Sequence, residues 1–489
     1  MNNGPATRGD IKSRRGIPAV TQRRDGRKRL IMTRAIRGAS VFVEGRLRPL
    51  DIVIDGEEIA ALVTPGGGPS DAETVDGGDL TAIPGGIDVH VHTRDPGYTH
   101  KEDIVTATRA AAAGGYTTIF GMPNVDPPTL RTVDLDAVFD LYAAGSLVDY
   151  NHNPAAKMLD QIPAMAERGI AAFKIYMVVD TGRSYPHPPS IGVHDHGELY
   201  EAMRAITRTG LRLMVHPHDQ QIMDVVEKGF WERGDRSPGA YAKTLAAENG
   251  IIWDAATALL LRLAEATGCK LHIVHTQTIR QIEMIADARR RGVDVSAETN
   301  HWAIFLGRWS DIEEQGSYAL SYWVPEHHQE AVWKAMQNGT IDMLASDHAP
   351  HTREEKEVGW TDAWAAHTGT PGIQYQLPLM TDAFNRDQIS FARMVNLISS
   401  EPARIFGLAK KGTLAPGSDA DVVLMDLTRE WTITNDSVLS KIGWTPYDGR
   451  SIRGAVVRTL VRGHDVWVDG HIVGRPGHGK QAVPDLSAV

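Results

Sequence analysis

Thiol chemistry is almost absent from this 489-residue chain, which holds one cysteine, Cys269. With no second thiol, neither a disulfide framework nor a thiolate zinc site can form within the chain, and any metal must be held by imidazole and oxygen. Long apolar runs are also missing. No stretch of about 18 apolar residues occurs, so no segment reads as a helical membrane span. An excess of basic charge is missing as well: 51 Lys and Arg stand against 61 Asp and Glu, a net charge of −10, which offers no overall positive field for nucleic acid. These absences lead to the expectation of a cytoplasmic protein whose partner is a small molecule, without nucleic acid or membrane.

The first thirty residues differ from the rest, with nine Lys or Arg against two acids and no apolar periodicity. Residues 1–30 therefore read as a disordered basic tail. Its three possible roles are an inert extension upstream of Met32, a targeting segment and an anion-binding arm.

At this length one large and one small domain are expected. From Leu30 to Ile83 short alternating strands are broken by Asp-Gly and Gly-Gly turns, and the same texture returns after Gly407. Residues 31–83 and 405–478 are thus expected to build one small β-sandwich domain from both chain ends, with 479–489 as a C-terminal tail. Between them, over 84–404, short apolar strands alternate with longer helical stretches, the mark of parallel βα units. Eight such strands are predicted, at 86–93, 117–124, 148–154, 171–177, 211–218, 270–276, 294–300 and 341–347. The fold class is therefore α/β, a (β/α)₈ barrel.

Ionisable residues fall at the ends of these strands, on the face where barrel enzymes place their chemistry. His90 and His92 are two apart in one strand, so both imidazoles point the same way. His216 and His275 close strands five and six, and Asp347 closes strand eight. Each is ambiguous alone. Four imidazoles and a carboxylate converging on one rim match the donor preferences of zinc and its first-row neighbours. Lys174 lies inside the apolar strand Ala171-Ala-Phe-Lys-Ile-Tyr-Met, where a bare ammonium is costly to bury. Two readings fit it: a structural ion pair, or a carbamate formed with CO₂ that turns the cation into an anionic ligand.

The ordered set of motifs resembles the cyclic amidohydrolases of the amidohydrolase superfamily, the dihydroorotase, hydantoinase and allantoinase group. The matching text runs over 84–97, 112–118, Met122-Pro-Asn, Phe173-Lys-Ile-Tyr-Met, 346–356, 396–407 and 412–423. The resemblance implies two divalent metal ions, zinc before manganese or cobalt. His90 and His92 would hold the more buried ion with Asp347, His216 and His275 the more exposed one, and a CO₂-derived carbamate on Lys174 would bridge them. It further implies attack by a metal-bridging hydroxide, with Asp347 as catalytic base and then acid, and a homodimer or homotetramer.

In dihydroorotases the positions of Arg94, Asn124 and His351 hold a ring carboxylate, a sound match for a guanidinium and two neutral donors. The other reading of Arg94 is a loop-tying salt bridge. Several positions depart from the dihydroorotase pattern: His216-Pro-His-Asp, Thr276-Gln-Thr, Glu298-Thr-Asn-His-Trp and Gly372-Ile-Gln-Tyr-Gln. Val179 stands where hydantoinases place a tyrosine. The loop 180–196 carries Tyr185, three prolines and three histidines, and Trp302, Trp309 and Trp323 follow strand seven. These aromatics either wall the pocket or serve packing and subunit contact. The specific expectation is a dihydroorotase-like enzyme acting on a carboxylate-bearing cyclic amide or imide. The alternatives are a hydantoinase (dihydropyrimidinase) or allantoinase, a non-catalytic oligomeric scaffold, and a mononuclear deaminase that would have no use for Lys174.

Overall fold

The computed structural model describes Met1 and residues 33–178, 189–193, 195–320 and 326–488. The basic N-terminal tail, Val179, Tyr185 and Trp323 lie outside the described residues.

All eight expected barrel strands form, at Gly86–Val91, Tyr116–Gly121, Asp149–His152, Ala172–Tyr176, Arg212–His216, Leu271–Ile273, Val295–Thr299 and Met343–Leu344. Every residue in them is buried. Burial on both faces explains their near-continuous apolar sequence. Strands one to three pair in parallel, as do strands four to eight. Two bridges join these arcs into a ring, Ala155 to Lys174 and Val91 to His348. The closing hydrogen bonds run from Lys174 N to Pro154 O (2.9 Å) and from His92 N to His348 O (2.8 Å). Lys174 and His92 therefore sit on the two seams of the barrel, where a strand end is held on both sides.

The connecting helices carry ordinary start and stop chemistry. Asp103 caps the helix Ile104–Ala113 by accepting from Thr106 N at 2.8 Å. The helix Ile251–Thr267 ends at Gly268, whose φ is +71°, a conformation that favours glycine.

Both chain ends build one nine-stranded sheet. Thr33–Val43, Arg46–Asp55, Glu58–Val63, Glu73–Asp76 and Thr81–Pro84 come from the front, and Val422–Thr432, Ser451–Val461, His464–Val468 and His471–Ile472 from the back. Thr81–Pro84 joins the halves, pairing in parallel with Thr33–Val43 and antiparallel with Val422–Thr432. Ile36, Val41, Ile52, Ile54, Leu414, Val422 and Leu424 from both halves share one apolar core. One residue separates this joining strand from barrel strand one, and it is Gly85. A Cβ there would stand 2.1 Å from Thr117 Oγ1, so the close approach of sheet and barrel requires glycine.

Lys411 pins the small sheet to the barrel. Its ammonium reaches Asp149 (2.7 Å) of barrel strand three, and Asp421 (2.7 Å) and Asp419 (3.0 Å) beside the sheet. Residues after 478 run along barrel strand three, where Tyr150 N donates to Lys480 O (3.0 Å) and Ala482 N to Tyr150 O (2.8 Å).

An excursion at 433–450, between two strands of the small sheet, crosses to the barrel mouth. Trp444 Nε1 donates to His351 O at 2.8 Å. Ser440 Oγ donates to the buried Glu102 carboxylate. Tyr447 Oη meets His301 Nδ1 at 2.5 Å.

Candidate metal centre and active site

The ends of the barrel strands bring His90, His92, Arg94, Asn124, His216, His275 and Asp347 to one cavity, shared with Tyr176, Ala349, Thr368 and Gly369. Donor atoms of His90, His275 and Asp347 lie within 4.8 Å of one another. Asp347 occupies the middle. Its Oδ1 is 3.1 Å from His92 Nε2 and 3.3 Å from His90 Nε2, and its Oδ2 is 3.7 Å from His275 Nδ1. The rings of His216 and His275 are 4.9 Å apart. His275 and Asp347 both hold positive φ, 55° and 46°. Non-glycine residues held in this region cluster at functional sites.

Three of the histidines lean on an oxygen through Nδ1. His90 Nδ1 meets Glu298 Oε1 at 2.6 Å, His92 Nδ1 meets Asn124 Oδ1 at 2.7 Å, and His275 Nδ1 meets Asn300 Oδ1 at 2.9 Å. The orientation of Asn300 is set by its own donation to Ala345 O at 3.0 Å, so its oxygen faces the ring. An oxygen acceptor at Nδ1 places the proton there and leaves Nε2 as the lone pair, the usual preparation of a metal-binding imidazole.

Charge states agree with that preparation. Burial holds His90 and His92 well below the ordinary imidazole range, and pushes His275 down to about 4. All three are neutral at physiological pH, as ligands must be. Burial raises Asp347, against the pull of His275 and Lys174, and raises Glu298 to about 8.

Lys174 is completely buried, and among the described residues its Nζ finds no hydrogen-bond partner. It lies 5.0 Å over the Tyr176 ring. Burial pushes its ammonium down to about 8, opposed by the carboxylates of Glu298 and Asp347. Among the described residues no direct ion pair involves it, and its electrostatic partners are the carboxylates of Glu298 and Asp347. An unbonded, partly neutral amine is a nucleophile suited to CO₂, and the carbamate would supply two oxygen donors to the cavity. Neutral imidazoles, a central carboxylate and such a lysine fit a centre of divalent ions with N and O donors.

His351 stands beside Arg94, with Nε2 3.1 Å from Arg94 Nη2. Its Nδ1 faces Lys101 Nζ (3.3 Å) and Glu355 Oε2 (3.5 Å), and its ring stacks on His367 at 5.0 Å. Lys101 and Glu355 pair at 2.7 Å. Asn124, expected to contact substrate, turns its oxygen to His92 and, at 3.4 Å, to Tyr176 Oη. Trp302, for which pocket wall and packing were both open, is wholly buried with its ring 5.8 Å from His275. Trp309 is part-buried at the start of the helix Trp309–Gln315.

Sequence reasoning missed Glu298, Asn300 and Lys101 as parts of this site. A signal for the first two existed. Ser296, Glu298 and Asn300 alternate with Val295, Ala297 and Thr299, so strand seven turns a polar face inward.

The model of the amidohydrolase family matches residues 81–473, a span that holds every residue of this site. The chain belongs to the amidohydrolase family. It is 33% identical to a dihydroorotase of Halobacterium salinarum over 443 residues, covering 90% of this chain and 97% of that one. It is 32% identical to an allantoinase of Rubrobacter xylanophilus, covering 90% and 95%. Its fold superposes on an L-hydantoinase (dihydropyrimidinase) from Arthrobacter aurescens with a TM-score of 0.87 at 27% identity, covering 93% of this chain and all of that one. The candidate residues stand at the C-terminal ends of the strands, the face on which barrel enzymes place their chemistry.

Proposed function

We propose that this amidohydrolase opens a carboxylate-bearing cyclic amide or imide by hydrolysing a ring C–N bond, in the manner of a dihydroorotase. The observation that carries the reading is Lys174. It is a fully buried amine without a hydrogen-bond partner among the described residues, set beside neutral imidazoles and Asp347. His90, His92, His216, His275 and Asp347 would hold two divalent ions, with Lys174 as a carbamate between them. Such ions, when bound, polarise a carbonyl and lower the pKa of water.

Asp347 takes a proton from the attacking water and returns it to the departing ring nitrogen, so that the carbonyl carbon gains an oxygen as its bond to nitrogen breaks. The raised pKa of its buried carboxyl suits both halves of that transfer. Arg94 faces the cavity with a guanidinium that pairs well with a carboxylate. His351, beside Arg94 and backed by Lys101 and Glu355, holds that guanidinium in place.

A second reading, an enzyme for an uncharged ring, is favoured by the superposition on an L-hydantoinase. Arg94 favours the first, because it lines the cavity and a guanidinium is a natural partner for a ring carboxylate.

The experiment measures metal content on purified protein and, in the same preparation, ring opening of dihydroorotate, hydantoins, allantoin and cyclic imides. About two metals per chain, lost together with activity in Lys174→Ala, supports the reading, and the ring that opens names the substrate. Less than one metal per chain after reconstitution with zinc, manganese or cobalt in bicarbonate, with no ring opened, overturns it.

A further inference from the structure

Beneath the cavity four buried side chains stand in line. Ser296 Oγ is 2.8 Å from His272 Nδ1, His272 Nε2 is 3.0 Å from Glu298 Oε2, and Glu298 Oε1 is 2.6 Å from His90 Nδ1. His272, Glu298 and His90 are at most 1% exposed. Phe406 closes the side of His272, edge-on at 5.6 Å.

The direction of the protons follows from what each group can do. A cation taken at His90 Nε2 requires the ring proton on Nδ1, so Glu298 Oε1 is placed to accept it at 2.6 Å. That leaves the His90 lone pair on Nε2, 3.3 Å from Asp347, while Glu298 Oε2 shares its hydrogen bond with His272. His92 and His275 have the same tautomer, but their acceptors are the neutral carboxamides of Asn124 and Asn300. Among these three, His90 alone leans on a carboxyl group, and at the shortest distance. A carboxyl partner at Nδ1 fixes the ring and its tautomer and makes the imidazole the better donor to a cation.

We infer that Glu298, braced by His272 and Ser296, is a positioning residue that holds His90 in its ligand tautomer and makes the half of the centre containing His90 and His92 the tighter one. The inference rests on the metal-binding reading of the same site. A carboxylate present only to offset the buried Lys174 charge would need neither His272 nor the Ser296 hydroxyl.

The test is competition between zinc-loaded protein and a chromophoric chelator, read as zinc released per chain without reference to activity. The wild type should release zinc in two steps, the tighter held by the half with His90. Glu298→Ala should weaken the tighter step about 10- to 100-fold. Glu298→Gln should cost less, because the amide oxygen still accepts from His90, its N–H can donate to His272 Nε2, and the Ser296 hydroxyl can rotate to accept. His272→Asn and Ser296→Ala, which disturb the line further from His90, should give progressively smaller losses and serve if Glu298→Ala does not fold. Profiles identical to wild type in all variants, or both steps weakened equally, would overturn the inference. A folded wild type that takes up no zinc overturns the metal-centre reading instead.

Discussion

Arg94 Nη2 and His351 Nε2 lie 3.1 Å apart, both fully buried. A guanidinium cannot accept a hydrogen bond, so His351 accepts from it at Nε2, while Nδ1 faces Lys101 Nζ at 3.3 Å and Glu355 Oε2 at 3.5 Å. Burial and the neighbouring Arg94 and Lys101 charges hold His351 well below the usual imidazole range, so the ring stays neutral in this role.

Replacing the guanidinium should therefore show in substrate binding. Arg94→Gln is expected to raise KM for a carboxylated ring about 10- to 100-fold, the value of a lost charge-assisted bond of ~1.5–3 kcal/mol, with a smaller change in kcat. An uncharged hydantoin assayed in parallel should be nearly unaffected. Equal losses on both rings would assign Arg94 to the structure of the loop.

Asp347→Asn keeps the shape of the side chain and removes the proton acceptor. Turnover is expected to fall about 10²- to 10⁴-fold, with KM within a few-fold of wild type. Steady-state kinetics on the ring identified by the substrate screen checks this.

Lys174→Arg preserves a cation that cannot form the carbamate. Metal content by plasma spectrometry should drop as it does for Lys174→Ala. The wild-type mass under native conditions should exceed the sequence mass by one CO₂ per chain, an increment missing from both variants.

Lys411 offers a test of stability far from the site. Burial alone would lower its pKa, but Asp421 and Asp419 outweigh burial and hold it above 10.5. A raised folded pKa contributes stability that is fully present below the unfolded value and is lost as pH rises through the folded one. Thermal melts should thus show an alkaline loss beginning above about pH 10.5. Lys411→Met should remove the part of that loss due to this group and destabilise the fold by ~3–5 kcal/mol at neutral pH, since it takes the cation from the buried Asp421.

The barrel was legible because the strands are short apolar runs, most of them with an ionisable group in or after their last half, from Ile87-Asp-Val-His to Met343-Leu-Ala-Ser-Asp. The gathering of His90, His92, His216, His275 and Asp347 followed from that placement. What supports them was less legible. Asn124, read as a substrate donor, lines the cavity and also gives its oxygen to His92, a second task that nothing local reveals. His272 and Glu298 are 26 residues apart and meet only across neighbouring strands. Lys101 and Glu355 meet across the barrel mouth, 254 positions apart by subtraction of their numbers, and their types alone describe any surface ion pair. For Trp302 the sequence leaves pocket wall and packing both open, and it packs inward on His275, since an aromatic after a strand has no pattern that tells floor from wall.

The excursion at 433–450 bears on how the protein is made. Translation delivers the candidate ligands from His90 to Asp347 well before Ser440, Trp444 and Tyr447, which secure Glu102, His351 and His301 at the mouth. A nascent barrel would hold every ligand while the loops around them still lacked their fastenings. Function therefore arrives with the later part of the polypeptide instead of growing along with the ligands, and a message truncated before codon 440 would yield a barrel whose entrance lacks these three fastenings.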